Sequence, residues 1–283
     1  MFNPADLKTK IFLDSGQVAE TRQALNLLGF LDGQTTNPSL IAKNFQAGSG
    51  SKISENELLA FYRGQIEEIT GLMPQGSISV EVYADSQTPA EQMVSQGLEM
   101  FNWSPNAYIK LPITKAGLEA AEELIRQGIR VNLTLCFSQE QAAAVASMAK
   151  NAQAGQVYIS PFIGRLDDQG LNGLSLIRNI LKMYRQQSAG VLVLAASLRN
   201  LGHLQQCFRL ETDIITAPFK VLSAWAEAGF SLSDEEIENN HQLKDLPYQE
   251  FDLLRPWQDF SLEHELTNRG LQQFADDWNA LIK

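Results

Sequence analysis

The chain has 283 residues, 44% of them hydrophobic and 19% charged, enough for a full buried core and within the usual length of a single α/β barrel. A net charge of −11 and a pI near 4.8 argue against non-specific nucleic-acid binding, so an anionic ligand needs a local group of arginines or backbone N–H groups. Two distant cysteines, Cys136 and Cys207, suggest packed thiols and neither a disulfide framework nor a zinc site. The first residues lack the basic-then-apolar pattern of a signal peptide, and no apolar run approaches the roughly 18 residues of a membrane span. A cytoplasmic protein without membrane association is expected.

Residues 10–14 form a short apolar run that ends in Asp14, and residues 16–28 continue at helical spacing. A second short strand is expected over 33–37, with Asn37 capping a helix that Pro38 opens. The Gly- and Ser-rich stretch 47–51 reads as a surface loop. Apolar residues at Leu58, Leu59, Tyr62, Ile66 and Ile69 make 54–70 an amphipathic helix. Further strands are expected over 77–83, 107–111, 131–135, 157–161, 191–196 and 213–216, each followed by a helical pattern except that a polar loop first follows 157–161. Eight mostly apolar strand runs alternating with helices suit a parallel sheet covered by helices, and its simplest closed form is a (β/α)8 TIM barrel over about residues 8–230. No Gly-x-Gly-x-x-Gly follows the first strand and no Walker loop is present. From about residue 231 the chain becomes acidic, contains Trp257 and Trp278 and offers no further strand. It predicts a helical C-terminal extension that covers the barrel or forms a contact in a homo-oligomer.

Lys110 is the residue that calls for a reason, since it lies in the run Tyr-Ile-Lys-Leu-Pro near the carboxyl end of a buried strand. A strand-end lysine can snorkel its charge into water. Desolvation, however, also favours the neutral amine, which can attack a carbonyl and form a Schiff base. Polar residues interrupt nearly every other strand at the same end: Asp14, Asn37, Glu81, Asn132 with Thr134, Ser160, and Ser197 with Arg199. Singly they read as caps, turns or, for Arg165, a solvated loop. Together they converge on one mouth of a barrel, where sites in this fold gather.

The runs Leu13-Asp14-Ser15, Thr35-Thr36-Asn37-Pro38-Ser39-Leu40, Ile109-Lys110-Leu111-Pro112-Ile113-Thr114, Val131-Asn132-Leu133-Thr134, Ser160-Pro161-Phe162-Ile163-Gly164-Arg165 and Ala196-Ser197-Leu198-Arg199-Asn200 resemble the transaldolase family, from about Lys10 to Val221. The resemblance implies a metal-free class I aldol mechanism without cofactor, moving a dihydroxyacetone unit from a ketose phosphate to an aldose phosphate in the non-oxidative pentose phosphate pathway. It assigns Lys110 as nucleophile and Asp14 as the base at the C4 hydroxyl. Glu81 and Thr134 hold a proton-shuttling water, Asn37, Asn132 and Ser160 meet the donor's hydroxyls, and Arg165, Ser197 and Arg199 bind its phosphate. By the same resemblance, Phe162 and Glu81 favour transfer, since the related fructose-6-phosphate aldolases carry tyrosine and glutamine there. Leu198 departs from the family, which more often has an aromatic residue at that place.

A metal-dependent aldolase needs clustered ligands, but His203, His241 and His264 all fall outside the expected strands. A pyridoxal-phosphate enzyme also uses a lysine, yet these polar residues suit an aldol site better than a cofactor cradle. A catalytically silent barrel acting as a binding protein is the remaining alternative, and the joint presence of Lys110 and Asp14 weighs against it.

Overall fold

The structure is a computed structural model that describes residues 7–48, 52–232 and 242–283. Eight parallel strands close into a barrel in the order β1 (Lys10–Asp14), β2 (Gly33–Thr35), β3 (Ser77–Glu81), β4 (Ala107–Pro112), β5 (Val131–Cys136), β6 (Val157–Pro161), β8 (Leu192–Ala195) and β9 (Ile214–Ala217). Between them run α1 (Val18–Leu28), α2 (Pro38–Gly48), α3 (Glu55–Leu72), α4 (Ala90–Phe101), α5 (Lys115–Arg126), α6 (Gln139–Met148), α7 (Ile163–Asp167), α8 (Gly173–Gln186) and α9 (Leu201–Arg209). The helix α10 (Phe219–Glu227) follows β9, and α11 (Glu265–Asn279) closes the chain. This is the TIM barrel with a C-terminal helix that the apolar runs predict.

The caps explain where the helices begin. Ser54 and Ser138 form reciprocal capping boxes with Glu57 and Gln141, while Thr114 and Asn200 each accept a backbone N–H from the first turn. Glu57 and Gln141 stand three residues after their serines, the spacing a capping box requires. Asp14 has no such part: the residue before α1 is Gln17, and the hydroxyl that accepts its N–H belongs to Ser15.

Three expectations are corrected. The segment after β6 is not all loop, since the five-residue α7 sits there, too short to show a helical period. The C-terminal region does carry a strand: β10 (Lys244–Asp245) pairs in parallel with β7 (Leu171–Asn172), outside the barrel. Its described part is also largely extended before α11, with a single 3-10 turn at Trp257–Asp259. Pro247 and Pro256 interrupt it, and the backbone N–H of Gln249 donates to the Gln139 side chain (2.9 Å), so this strap satisfies its backbone against α6. The acidic run 234–238 and residues 49–51 lie outside the described residues. Among those described, no helix is long and apolar enough to cross a membrane.

Inside the barrel, the amino-terminal half is aromatic and the carboxyl-terminal half polar. Tyr108 and Tyr158 stack with centroids 4.0 Å apart, and Phe12 meets Tyr158 edge-on at 6.3 Å. These rings fill the bore, which is why Gly33 is a glycine: a Cβ there would lie 2.7 Å from the Phe12 ring and closer still to the Ser77 carbonyl. Two residues further on, the inward positions are Thr35, Ser79, Lys110, Asn132, Ser160 and Thr216. We expect Gly33→Ala to cost about 1–3 kcal/mol of unfolding free energy, read by urea denaturation, since the backbone at Ser77 cannot move aside.

Candidate active site

Lys110 stands on β4 between Glu81 of β3 and Asn132 of β5, paired in register with both. It is 3% exposed, and its Nζ lies 2.7 Å from Glu81 Oε2 while donating to the Thr36 carbonyl at 3.2 Å. The Glu81 contact has the distance of an ion pair, although its angles are not those of an aligned hydrogen bond. Burial pushes the Glu81 carboxyl above its usual range, and the nearby Lys110 charge only partly opposes this. Asp14 is raised in the same way: burial dominates, against Lys110 and a 2.8 Å hydrogen bond from Thr35 Oγ1. Asp14 has intermediate accessibility, and the surface it exposes borders the cavity at the mouth.

The polar layer below is fully bonded. Ser160 Oγ donates to Asn132 Oδ1 (2.7 Å), and Asn132 Nδ2 donates to Ser79 Oγ (3.0 Å). Thr35 Oγ1 gives its proton to Asp14, so the 2.7 Å contact between Thr35 and Thr216 has Thr216 as donor. Asn132 is thus enclosed and reaches the cavity only through Ser160, which lines it. Asn37 lines it too, but its Oδ1 caps α2 by accepting the Leu40 N–H (2.9 Å), leaving the amide nitrogen for a ligand. Thr134 Oγ1, one layer above Asn132, is buried without a hydrogen-bond partner in the protein.

The cavity measures about 370 Å³, and its outer side is cationic. Arg165 projects from α7, and among the described residues it has no ion pair or hydrogen bond. Burial works against its charge, Glu81 supports it and Arg199 opposes it. Arg199, by contrast, is half-exposed and paired with Asp168 at 2.7 Å. Its side chain lies over Gly164, where a Cβ would meet it at 2.6 Å. Ser197 adopts φ = 60° and its carbonyl accepts the Gly164 N–H at 2.9 Å, so the turn after β8 is tied to the start of α7. Phe162 lies against Phe137, with its ring beneath the Arg165 guanidinium.

A lysine paired to a carboxylate inside a barrel, a second carboxylate at the mouth and arginines on the rim are groups chemically suited to an anionic carbonyl compound. The family described as transaldolase/fructose-6-phosphate aldolase matches residues 11–283. The chain belongs to this family. Proteins named probable transaldolase share 42% identity over 269 residues in Cereibacter sphaeroides, covering 95% of either chain. The share is 36% over 271 residues in Roseiflexus castenholzii (96% of this chain, 97% of that one) and 32% over 274 in Dehalococcoides mccartyi (97% and 100%). The family match thus extends past Val221, where the resemblance read from the motifs stopped, and takes in α11. Membership supports a transferase activity of the transaldolase type.

Several residues around the cavity went unread in the sequence, Lys220 on its lining among them. Thr35, Ser79 and Thr216 sit at inward strand positions, and the first two lie two residues before Asn37 and Glu81, a period-2 signal that was available. Phe274, which also lines the cavity, comes from α11 and carried no such signal. Of the histidines, His203 pairs with Asp167 (3.0 Å) and His264 caps α11 and stacks on Phe137, while His241 is outside the described residues.

Because the folded state raises the Asp14 pKa above its ordinary 3.8, it binds more protons than the unfolded chain just above that pH, and stability falls as pH rises through this window. We therefore expect Asp14→Asn to have a higher Tm than the wild type at pH 7. The advantage should disappear when both are measured below pH about 4, the ordinary aspartate range.

Proposed function

We propose that the protein is a transaldolase that moves a dihydroxyacetone unit from fructose 6-phosphate or sedoheptulose 7-phosphate to an aldose phosphate, glyceraldehyde 3-phosphate or erythrose 4-phosphate, through a Schiff base on Lys110. The observation that carries this reading is the buried Lys110 beside Glu81, facing a cavity with Asp14 at its mouth and, on its rim, Arg165, which has no ion pair among the described residues. Such a reaction belongs to the non-oxidative pentose phosphate pathway, and no cofactor or metal is needed for it.

Lys110 passes a proton to Glu81 and its free amine attacks the donor's C2 carbonyl. The carbinolamine loses water, leaving an iminium ion. Asp14 then takes the proton of the C4 hydroxyl, the C3–C4 bond breaks, and its electron pair enters the iminium as an enamine while the aldose phosphate departs. The enamine C3 adds to the acceptor aldehyde, and Asp14 returns its proton to the new hydroxyl. Thr134 Oγ1 lacks a hydrogen-bond partner among the described residues, and a water between it and Glu81 would satisfy it and serve the hydration steps. Ser160 and the Asn37 amide nitrogen meet the donor's hydroxyls, and Asn132 acts through Ser160. Arg165, Ser197 and Arg199 receive the phosphate, with Arg199 leaving Asp168 to do so.

Borohydride with fructose 6-phosphate should add a reduced three-carbon fragment to Lys110 and nothing to Lys110→Met, as mass spectrometry of the peptides would show. A protein that gains no adduct under turnover does not use this mechanism. Both carboxylates act as bases, so the acidic limb of kcat/KM should lie above the ordinary carboxyl values of 3.8 and 4.5, in the direction of their shifts. EDTA should leave turnover unchanged.

Transfer and simple cleavage are separated by Phe162. Its apolar ring offers the enamine no proton donor, whereas Phe162→Tyr adds a hydroxyl that can help a water protonate the carbanion. The ratio of acceptor-free dihydroxyacetone release to transfer should rise by about tenfold, about 1.4 kcal/mol of differential barrier. An unchanged ratio would leave Phe162 with a packing role only.

A further inference from the structure

The C-terminal helix takes part in the anion side of the cavity. The Arg165 guanidinium carbon lies 5.3 Å from the centroid of the Phe162 ring and 5.3 Å from that of Phe274. One ring belongs to the turn after β6 and the other to α11, more than a hundred residues later in the chain. Four residues before Phe274, and so on the same helical face, stands Gly270. A Cβ at Gly270 would lie 2.5 Å from Arg165 Nη1, so the missing side chain is the space the guanidinium occupies.

This slot is held in place by bonds at both ends of α11. Thr267 Oγ1 donates to the Leu135 carbonyl (2.9 Å) and accepts from Gln141 Nε2 (2.9 Å). At the other end Ser39 donates to Asp277, and Asn279 Nδ2 donates to the Tyr83 hydroxyl (3.0 Å). A planar cation between two aromatic faces is fixed in orientation without a carboxylate that an incoming anion would have to displace. Arg165 is fixed in this manner, whereas Arg199 on the same rim is held by Asp168.

We infer that Phe274 is a positioning residue which, with Gly270, makes α11 the wall of the anion subsite and aims the Arg165 guanidinium at the phosphate of a phosphorylated ligand. The inference rests on the cavity being a sugar-phosphate site. It makes preference for phosphorylated over unphosphorylated ligands a property of the C-terminal helix as well as of the barrel loops.

Inorganic phosphate, titrated calorimetrically into the full chain, tests this without relying on turnover. Phe274→Leu should weaken phosphate binding by about tenfold, the size of a partly desolvated cation–π contact, and Phe274→Tyr should restore it. Gly270→Ala is the second arm: its methyl meets only the movable ends of Arg165 and Leu135, so the helix should stay docked while the guanidinium is pushed aside and binding weakens comparably. In an Arg165→Gln background, neither change should weaken the residual binding further. With fructose 6-phosphate as donor, KM should rise by the same factor in Phe274→Leu with a much smaller change in kcat.

Wild-type phosphate affinity in both Phe274→Leu and Gly270→Ala, or equal losses with and without the Arg165 side chain, would overturn the inference. If Phe274→Leu does not fold, Gly270→Ala alone decides. A wild-type chain that forms the borohydride adduct but binds no phosphate also overturns it, leaving the aldol reading intact. Phe274-dependent phosphate binding without any adduct sustains the inference and removes the aldol reading.

Discussion

The contact on which the site depends is the one between Lys110 and Glu81, two charged groups inside a barrel with 3% and 4% exposure. Taking both from water costs several kcal/mol per ion, and their attraction repays this only when the surroundings hold them in place. Here the surroundings hold the backbone of both neighbours. The Glu81 N–H donates to the Tyr62 hydroxyl (3.0 Å), and Tyr62 contacts Thr36 Oγ1 (2.6 Å), which in turn donates to the Ser79 carbonyl (2.8 Å). Each hydroxyl has one proton, so Tyr62 must donate to Thr36, and the chain runs in a single direction. Thr36 also offers its own carbonyl to Lys110. One tyrosine on α3 therefore fixes the strand ends that carry both the ammonium's acceptor and its counter-charge.

That tyrosine is itself packed by α11, whose Trp278 meets its ring at 6.1 Å, and by Trp103 just after α4, at 5.5 Å. α11 thus reaches the site from two directions, at Tyr62 near one end and at Arg165 near its middle. The rigidity around Lys110 and the orientation of Arg165 are coupled through one helix, whose docking is local hydrogen bonding at Leu135 and Ser39 together with apolar burial of Leu266, Leu271, Phe274 and Trp278. In an α/β barrel the loops at the carboxyl ends usually supply such contacts. This chain adds a segment that enters from outside the repeating βα pattern.

The strands and the capped helices were legible because their signals are local: continuous apolar runs of strand length, and Ser, Thr or Asn placed before a helical period. Lys110, Asp14, Glu81, Asn132, Thr134 and Ser160 were legible because a polar residue in such a run is an anomaly wherever the chain folds. Partnerships were not legible. Nothing local distinguishes Arg165, without a counter-ion among the described residues, from Arg199, which Asp168 holds, nor Asn132, enclosed by Ser79 and Ser160, from Asn37, whose amide nitrogen has no partner among the described residues. Phe274 was beyond reach for the same reason, because its meaning depends on where α11 lands. In the extended strap before it, side-chain bonds to α6 take the place of any internal periodicity.

On the sugar-phosphate reading proposed above, the two arginines differ in what an arriving phosphate costs each of them. The Arg199–Asp168 pair is solvent-exposed on both sides, a kind of pair worth only about 0–1 kcal/mol, so exchanging Asp168 for a phosphate oxygen is nearly free but requires that pair to be broken first. Arg165 needs no exchange, because aromatic faces hold its plane and its donors stay unspent. In a chain of net charge −11 that difference has a use. Any unpaired surface cation would be drawn to the protein's own carboxylates, and partial burial between two rings, with no described carboxylate in hydrogen-bond reach, keeps one guanidinium available. On that reading the acidic background and the aromatic slot are two sides of one constraint: the more anionic the protein, the more a charge meant for an anionic ligand must be guarded from the protein itself.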